Sequence, residues 1–166
     1  MSSTSEPVGT EPDCLLCRGP QGDAELHRRE VWRDDLWRLT VSVESEVAGF
    51  SYLEPRRHIP HITDLDGDEA ASLGPTLART TSVLRTVTAS ELVYVYVFGG
   101  GIPHLHLHLA PHSEGDALND QVVKGTVRSR KLPSGATEYW SDDYPVLPRD
   151  KLIDVAERVA AGMAAS

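Results

Sequence analysis

Three of the chain's seven histidines fall in one short segment, Pro103-His104-Leu105-His106-Leu107-His108-Leu109-Ala110-Pro111. Histidine alternates with leucine. On an extended strand successive side chains point to opposite faces, so all three imidazoles share one face and the leucines fill the core behind. Neighbouring histidines then lie about 7 Å apart at their Cα atoms, and the outer two about 13 Å. A metal holds nitrogen ligands at about 2 Å, so two adjacent histidines can chelate one ion but three cannot without distortion. A division of labour along an elongated, charged ligand is more natural, and a chain of phosphates is such a ligand. A neutral imidazole is a nucleophile near pH 7, and its neighbours can donate hydrogen bonds to phosphoryl oxygens. The plain alternative is a metal-binding or chance histidine-rich strand; strict alternation over three positions weighs against it. His27, His61 and His112, taken singly, read as structural.

The only two cysteines, Cys14 and Cys17, are spaced C-x-x-C. One tight turn can bring two such thiolates to a single tetrahedral ion. A dithiol exchange motif and an inert pair are the alternatives. Exchange motifs place the first cysteine at a helix start, and Gly19-Pro20 reads as a turn instead.

Positioning these groups requires a sheet. Strands are expected at Glu30–Arg33, at Trp37–Val43 and at Gly49–Glu54, the last stopped by Pro55. Leu92–Phe98 is β-branched and aromatic and predicts a central strand, and His104–Leu109 predicts the strand that bears the histidines. Asp66–Ala89 is helical in character, with Gly74-Pro75 weakening its first turns and favouring a start near Gly74. Pro148–Ala165 predicts an amphipathic helix with Leu152, Val155, Ala156, Val159 and Met163 on one face. Ser113–Asn119 reads as loop, and Val122–Tyr144 carries no clear period. Residues 1–12 read as a disordered tail and residues 13–166 as a single α+β domain.

The chain has 166 residues and a formal net charge of −9. An acidic balance argues against tight binding to long nucleic acid but allows a small phosphorylated ligand at a local site. No apolar run reaches the about 20 residues a membrane span needs. The polar N-terminus lacks the layout of a secretory signal, so cytoplasmic residence is expected.

The pattern at His104–Ala110 resembles that of the histidine triad (HIT) superfamily. Gly49-Phe-Ser-Tyr-Leu-Glu-Pro55-Arg56-Arg57-His58-Ile59 is similar to the Gly, strand, Pro, basic pair, His segment of that family. The resemblance covers roughly residues 13–112. It implies a HIT-like antiparallel sheet with one long helix packed on it and a C-terminal helix. It also implies a homodimer and a nucleotide or nucleotide-conjugate substrate. By that resemblance His106 attacks the α-phosphorus and forms a covalent nucleotidyl-histidine. His108 stabilises phosphate charge, and His104 supports the site from its other end. The implied activity is nucleotidyl hydrolysis or transfer. A rise in activity as pH passes through the histidine range follows from the need for a neutral nucleophile.

In zinc-binding members, and in the related galactose-1-phosphate uridylyltransferases, two histidines complete a cysteine pair. The resemblance implies structural Zn²⁺ at Cys14, Cys17, His58 and His104, with His61 an alternative to His58. The sequence departs from the family in the loop before the triad, at the ribose contact, and just after the triad, where Pro111-His112 stands for the frequent Pro-Arg. The loop before the triad is Gly99-Gly100-Gly101, with Gly101 at the position of the usual Ser, leaving only backbone N–H groups to meet phosphate. The usual ribose-binding Asp is replaced by Ser42. These departures keep two other readings open: a zinc-stabilised nucleotide-binding protein without turnover, and a metal-dependent hydrolase using the His104-x-His106 pair. Arg56 and Arg57 read as solvated surface or phosphate contacts, and Trp32, Trp37 and Trp140 as core or base-stacking residues.

Overall fold

A computed structural model of the chain describes residues 10–118 and 127–166. The expected tail therefore lies largely outside the described residues. Within them, Glu11 already takes part in a turn, its carbonyl accepting the Cys14 N–H at 3.0 Å.

Five strands form one antiparallel sheet: β1 (Arg28–Arg33), β2 (Trp37–Ser42), β3 (Ser51–Pro55), β4 (Leu92–Tyr96) and β5 (Leu107–His112), in the order β1-β2-β3-β5-β4. Alternation sorts their side chains. Leu39, Leu53 and Leu107 stand in register on one face, under the helices, and all three are buried. Burying each such leucine stabilises the fold by about 1.5–3 kcal/mol. Thr40, Tyr52, His108 and Tyr96 form a row across the other face.

β4 is an edge strand, not the central strand its composition predicts. Its pattern is half-exposed, and Leu92, Val95 and nearby Phe98 are exposed. β-branched and aromatic residues fit any pleated surface, so composition does not distinguish edge from centre. The triad strand is also displaced. β5 begins only at Leu107 and runs through Pro111 to His112, so of the triad only His108 lies in it. His104 instead closes a bend before the strand, its N–H donating to Ile102 at 2.8 Å, and the Leu105 N–H donates to Ile59 at 2.7 Å. Pro111 is tolerated because β3 pairs with β5 only as far as Leu109.

α2 (Gly67–Thr88) begins well before the expected Gly74, with Pro75 inside it. Tertiary contacts hold the weak first turns. Glu69 accepts Arg57 at 3.0 and 3.1 Å, and the Trp37 indole N–H donates to Ser72 Oγ at 2.8 Å. Threonine hydroxyls of α2 donate back to carbonyls one turn earlier, as Thr80 does to Thr76 at 3.0 Å. α3 (Arg149–Ala165) packs on the same side, and its five expected core residues are all buried.

Pro20 is a helix start, contrary to the turn reading. A 3-10 turn, Leu16–Arg18, leads into α1 (Pro20–Glu25), with Gly19 at φ +57 as the junction. Proline suits a first helical turn, where its missing N–H is not needed. In the unassigned region two strands pair as a hairpin, β6 (Val127–Lys131) and β7 (Thr137–Ser141).

Beneath the α1 segment lies a buried ionic cluster. Arg28 makes a two-pronged pair with Glu54, both contacts at 3.0 Å, and donates Nε to Asp23 at 2.8 Å. Arg38 bonds Asp23 twice at 3.0 Å, touches Glu54, and reaches the Leu16 carbonyl at 3.4 Å. Asp23, Arg28, Arg38 and Glu54 are all buried. The cluster clamps the cysteine-bearing segment onto β1, β2 and β3.

Candidate active site and metal centre

The first triad histidine does not face the same partners as the other two. The His104 Nε2–H donates to the Pro55 carbonyl at 2.8 Å. A carbonyl only accepts, so the proton sits on Nε2 and the Nδ1 lone pair is left free. That Nδ1 lies 3.4 Å from both Cys14 Sγ and Cys17 Sγ, and Cys17 Sγ lies 3.5 Å from His58 Nδ1. Ligand atoms of Cys14, Cys17, His58 and His104 all lie within 4.8 Å of one another. Zinc–sulfur and zinc–nitrogen bonds of about 2.3 and 2.05 Å at tetrahedral angles give an S···N edge of about 3.6 Å. The measured separations match that edge, so this donor set fits tetrahedral Zn²⁺. His61 stands outside it, with its N–H bonded to Asp64 at 3.2 Å. Burial, with Cys14 beside it, pushes the Cys17 thiol up to about 11; a bound cation reverses that preference because it takes the thiolate.

His106 uses its Nδ1–H to donate to the His104 carbonyl at 2.6 Å. The acceptor fixes the tautomer, so Nε2 carries the free lone pair. His106 is half-buried and lines a cleft of about 980 Å³. His108 follows on β5, its ring 5.2 Å from that of His106 and nearly perpendicular. Tyr52 and Tyr96 flank it at 5.3 and 4.8 Å, with Phe50 and Phe98 at 6.1 and 5.5 Å. Burial among these rings, and then His106, pushes His108 down to about 3, so it is neutral at ordinary pH. Its Nδ1 finds no hydrogen-bond partner among the described residues.

The structure thus brings His106, His108, Ser42 and the Gly99–Gly101 loop to one cleft and sends His104 to the cysteines. Ser42 is occupied locally: its hydroxyl donates to the Glu44 carbonyl at 3.0 Å. Carboxylates of Glu44 and Glu46 line the cleft beside it. Gly99 sits at φ +75, and a Cβ at Gly100 or Gly101 would meet nothing within 4 Å, so the loop leaves the approach open. Arg57 is tied to Glu69 and Asp66, and Arg56 to the Asp34 carbonyl at 2.8 Å. Neither lines the cleft. Trp37 is core, Trp32 lies under Arg79, and Trp140 lines the cleft.

Sequence reasoning missed the aromatic surround of His108 and the ionic cluster. The alternation Val93, Tyr94, Val95, Tyr96, Val97, Phe98 carries the first signal, since it places Tyr94, Tyr96 and Phe98 on one face.

The HIT domain family profile matches residues 23–115. One relative is the bifunctional bis(5'-adenosyl)-triphosphatase/adenylylsulfatase FHIT of Arabidopsis thaliana, 36% identical over 74 residues. That match covers 41% of this chain and 41% of the relative. An uncharacterised HIT-like protein of Mycobacterium tuberculosis is 23% identical over 129 residues, covering 75% of this chain and 87% of that one. Among solved structures, a zinc-bound histidine triad family protein from Mycobacterium smegmatis superposes with a TM-score of 0.61 at 16% identity, covering 92% of this chain and 94% of the other. That likeness shows the fold. With the profile spanning more than half of the chain, and the triad and five-stranded sheet in place, this protein belongs to the HIT domain family.

Proposed function

We propose that the chain is a nucleotidyl hydrolase or transferase that works through a covalent nucleotidyl-histidine at His106. The observation that carries this reading is the His106 tautomer. Its Nδ1–H is committed to the His104 carbonyl, and its Nε2 lone pair is free beside the cleft. In the first step Nε2 attacks the α-phosphorus, a P–N bond forms, and the bond to the leaving group breaks with its electron pair. His108, neutral and adjacent, donates to a phosphoryl oxygen. In the second step water or an acceptor hydroxyl attacks phosphorus, the P–N bond breaks with its electron pair returning to His106 Nε2, and the proton of the attacking oxygen passes to that nitrogen and then to solvent. The family match and the FHIT relative support a nucleotide as the transferred group.

Zn²⁺ at Cys14, Cys17, His58 and His104 is structural in this account. It supplies a cross-link between the N-terminal segment and the sheet and leaves His106 and His108 to the substrate. His104 is turned toward the cysteines, which weighs against a catalytic ion held jointly by His104 and His106. The rival of nucleotide binding without turnover is favoured by one feature, the Gly99–Gly101 loop that offers no side-chain donor.

The β4 edge, with Val95 and Leu92 exposed, supports a homodimer in which a second copy covers it. The unbridged cysteine pair at metal-ligand spacing supports a reducing, cytoplasmic setting. Among the described residues no helix is long and apolar enough to cross a membrane.

Steady-state turnover of a nucleoside phosphoramidate and a dinucleoside polyphosphate, in the parent and His106→Ala, tests the function. Turnover in the parent with loss of more than about 10³-fold in the variant is expected. Binding without turnover in the parent selects the binding-protein reading.

A further inference from the structure

The hairpin β6–β7, residues Val127–Ser141, lies beyond the segment that the HIT profile matches, residues 23–115. It nevertheless forms a wall of the cleft that holds His106 and His108. Cross-strand register identifies the inward face. Arg130 stands opposite Glu138, and Arg128 opposite Trp140, so these four side chains share one face. Glu138 comes within 4.8 Å of His27 and Glu44 across the cleft, so this face is turned inward.

That face is organised. The Arg130 guanidinium is paired through Nε with Glu138 and lies 5.9 Å from the centre of the Trp140 ring. Ion pair and ring together restrain the guanidinium and leave its terminal nitrogens for a ligand. Next along, and on the other face by alternation, Lys131 bonds the Gly135 carbonyl at 3.4 Å and braces the turn. The hairpin is anchored at its turn: the Ser134 N–H donates to Glu25 at 3.0 Å, and Ala136 is buried. The opposite wall carries Glu44 and Glu46, whereas the hairpin's inward face carries the Arg130 guanidinium beside its partner Glu138. An anionic oxygen in the cleft therefore meets N–H donors at Arg130 and repulsion at Glu44 and Glu46. The cleft, at about 980 Å³, is at the upper end of the about 300–1,000 Å³ range of small-molecule sites, leaving space beyond a single nucleotidyl group.

We propose that the inward face of β6–β7 is a leaving-group site, in which Arg130 holds anionic oxygens of the departing group and Trp140 stacks on a planar ring it carries. This rests on the nucleotidyl-transfer reading and adds to it a chemical class of leaving group, an anion bearing an aromatic ring. The site selects by holding the part of the substrate that departs.

Calorimetric binding to the zinc-loaded chain tests this without turnover. The probes are AMP and a methylene-bridged, non-hydrolysable diadenosine triphosphate. The parent is expected to bind the dinucleotide at least about tenfold more tightly than AMP, the size of effect one stacked base provides. Arg130→Gln and Trp140→Leu each abolish most of that preference while AMP affinity stays within about twofold, since one stack or charged contact is concerned. Both side chains are at least partly exposed, so folding should survive either change, and unchanged thermal unfolding checks it. Equal loss of affinity for both probes, or an unchanged preference in both variants, overturns the leaving-group site while leaving nucleotide binding intact. Failure of the parent to bind either probe overturns the nucleotide reading as well.

Discussion

Replacing Glu54 by Gln removes one negative charge from an enclosed cluster while keeping its shape. Glu54 accepts two guanidinium N–H groups from Arg28 at 3.0 Å and one from Arg38, and all three side chains are buried. After the change Asp23 is the one fully buried carboxylate left to two buried guanidinium groups, with Glu30 at 3.3 Å on the margin. Three charge-assisted bonds at about 1.5–3 kcal/mol each set an upper bound that does not add simply. Breaking one partner out of a buried ion pair costs about 3–5 kcal/mol. For a domain of this size each kcal/mol moves Tm by about 2–4 °C, so a fall of about 6–20 °C is expected. The cluster also clamps the cysteine segment, so zinc affinity should fall with it. The acid limb carries a second signature. Burial alone would raise the Glu54 carboxyl, but Arg28 and then Arg38 outweigh it and hold the group below the usual carboxylate range. A depressed folded value stabilises above the unfolded value of about 4.3 and is lost as pH falls through the folded one. Glu54→Gln should therefore flatten the parent's loss of Tm below about pH 4. The assay is thermal and urea unfolding of zinc-loaded protein from pH 7 to pH 2.5. A loss under about 1 kcal/mol, or an acid limb identical to the parent's, would refute the reasoning.

Three other outcomes follow from the same geometry. His108 is pushed down to about 3 by burial, so its ring proton resonances should hold the neutral-imidazole position from pH 5 to pH 8; a titration midpoint near 6 contradicts this. The parent should carry about one zinc per chain by elemental analysis, and Cys17→Ser should weaken zinc binding by more than the about 10–100-fold that loss of an outer-shell partner costs. Retention of full zinc by that variant would exclude the four-ligand site. Val95→Arg should shift light-scattering mass from dimer to monomer by placing a charge on the β4 edge; a parent that is already monomeric removes the dimer proposal.

The chemistry was legible because residue identity carries it. His104, His106 and His108 could be read as a unit, and Cys14 with Cys17 as half of a metal set, from spacing alone. Assigning His104 to the metal and His106 to phosphate came from the family resemblance, and the structure places His104 at the cysteines. α3 was legible because its apolar period is clean. The start of α2 was not, since Glu69–Arg57 and Trp37–Ser72 contacts outweigh the weakness of Gly74-Pro75. The edge position of β4 depends on which strand pairs with β5, a long-range choice that no local pattern records. Arg38 and Glu54 were unread because charged side chains default to solvent. They are buried only because the α1 segment folds over the outer face of β2 and β3. The hairpin β6–β7 lacked a periodic signal, its strands being five residues each with mixed polarity.

Rapid-quench intact mass spectrometry tests the central claim most directly. The zinc-loaded parent is mixed briefly with a nucleoside phosphoramidate and quenched at alkaline pH to preserve a P–N bond. The account predicts a nucleotidyl-sized mass adduct that peptide mapping places on His106 and that His106→Ala does not form. An adduct on another residue, or substrate consumed at the parent's rate by His106→Ala, would contradict it.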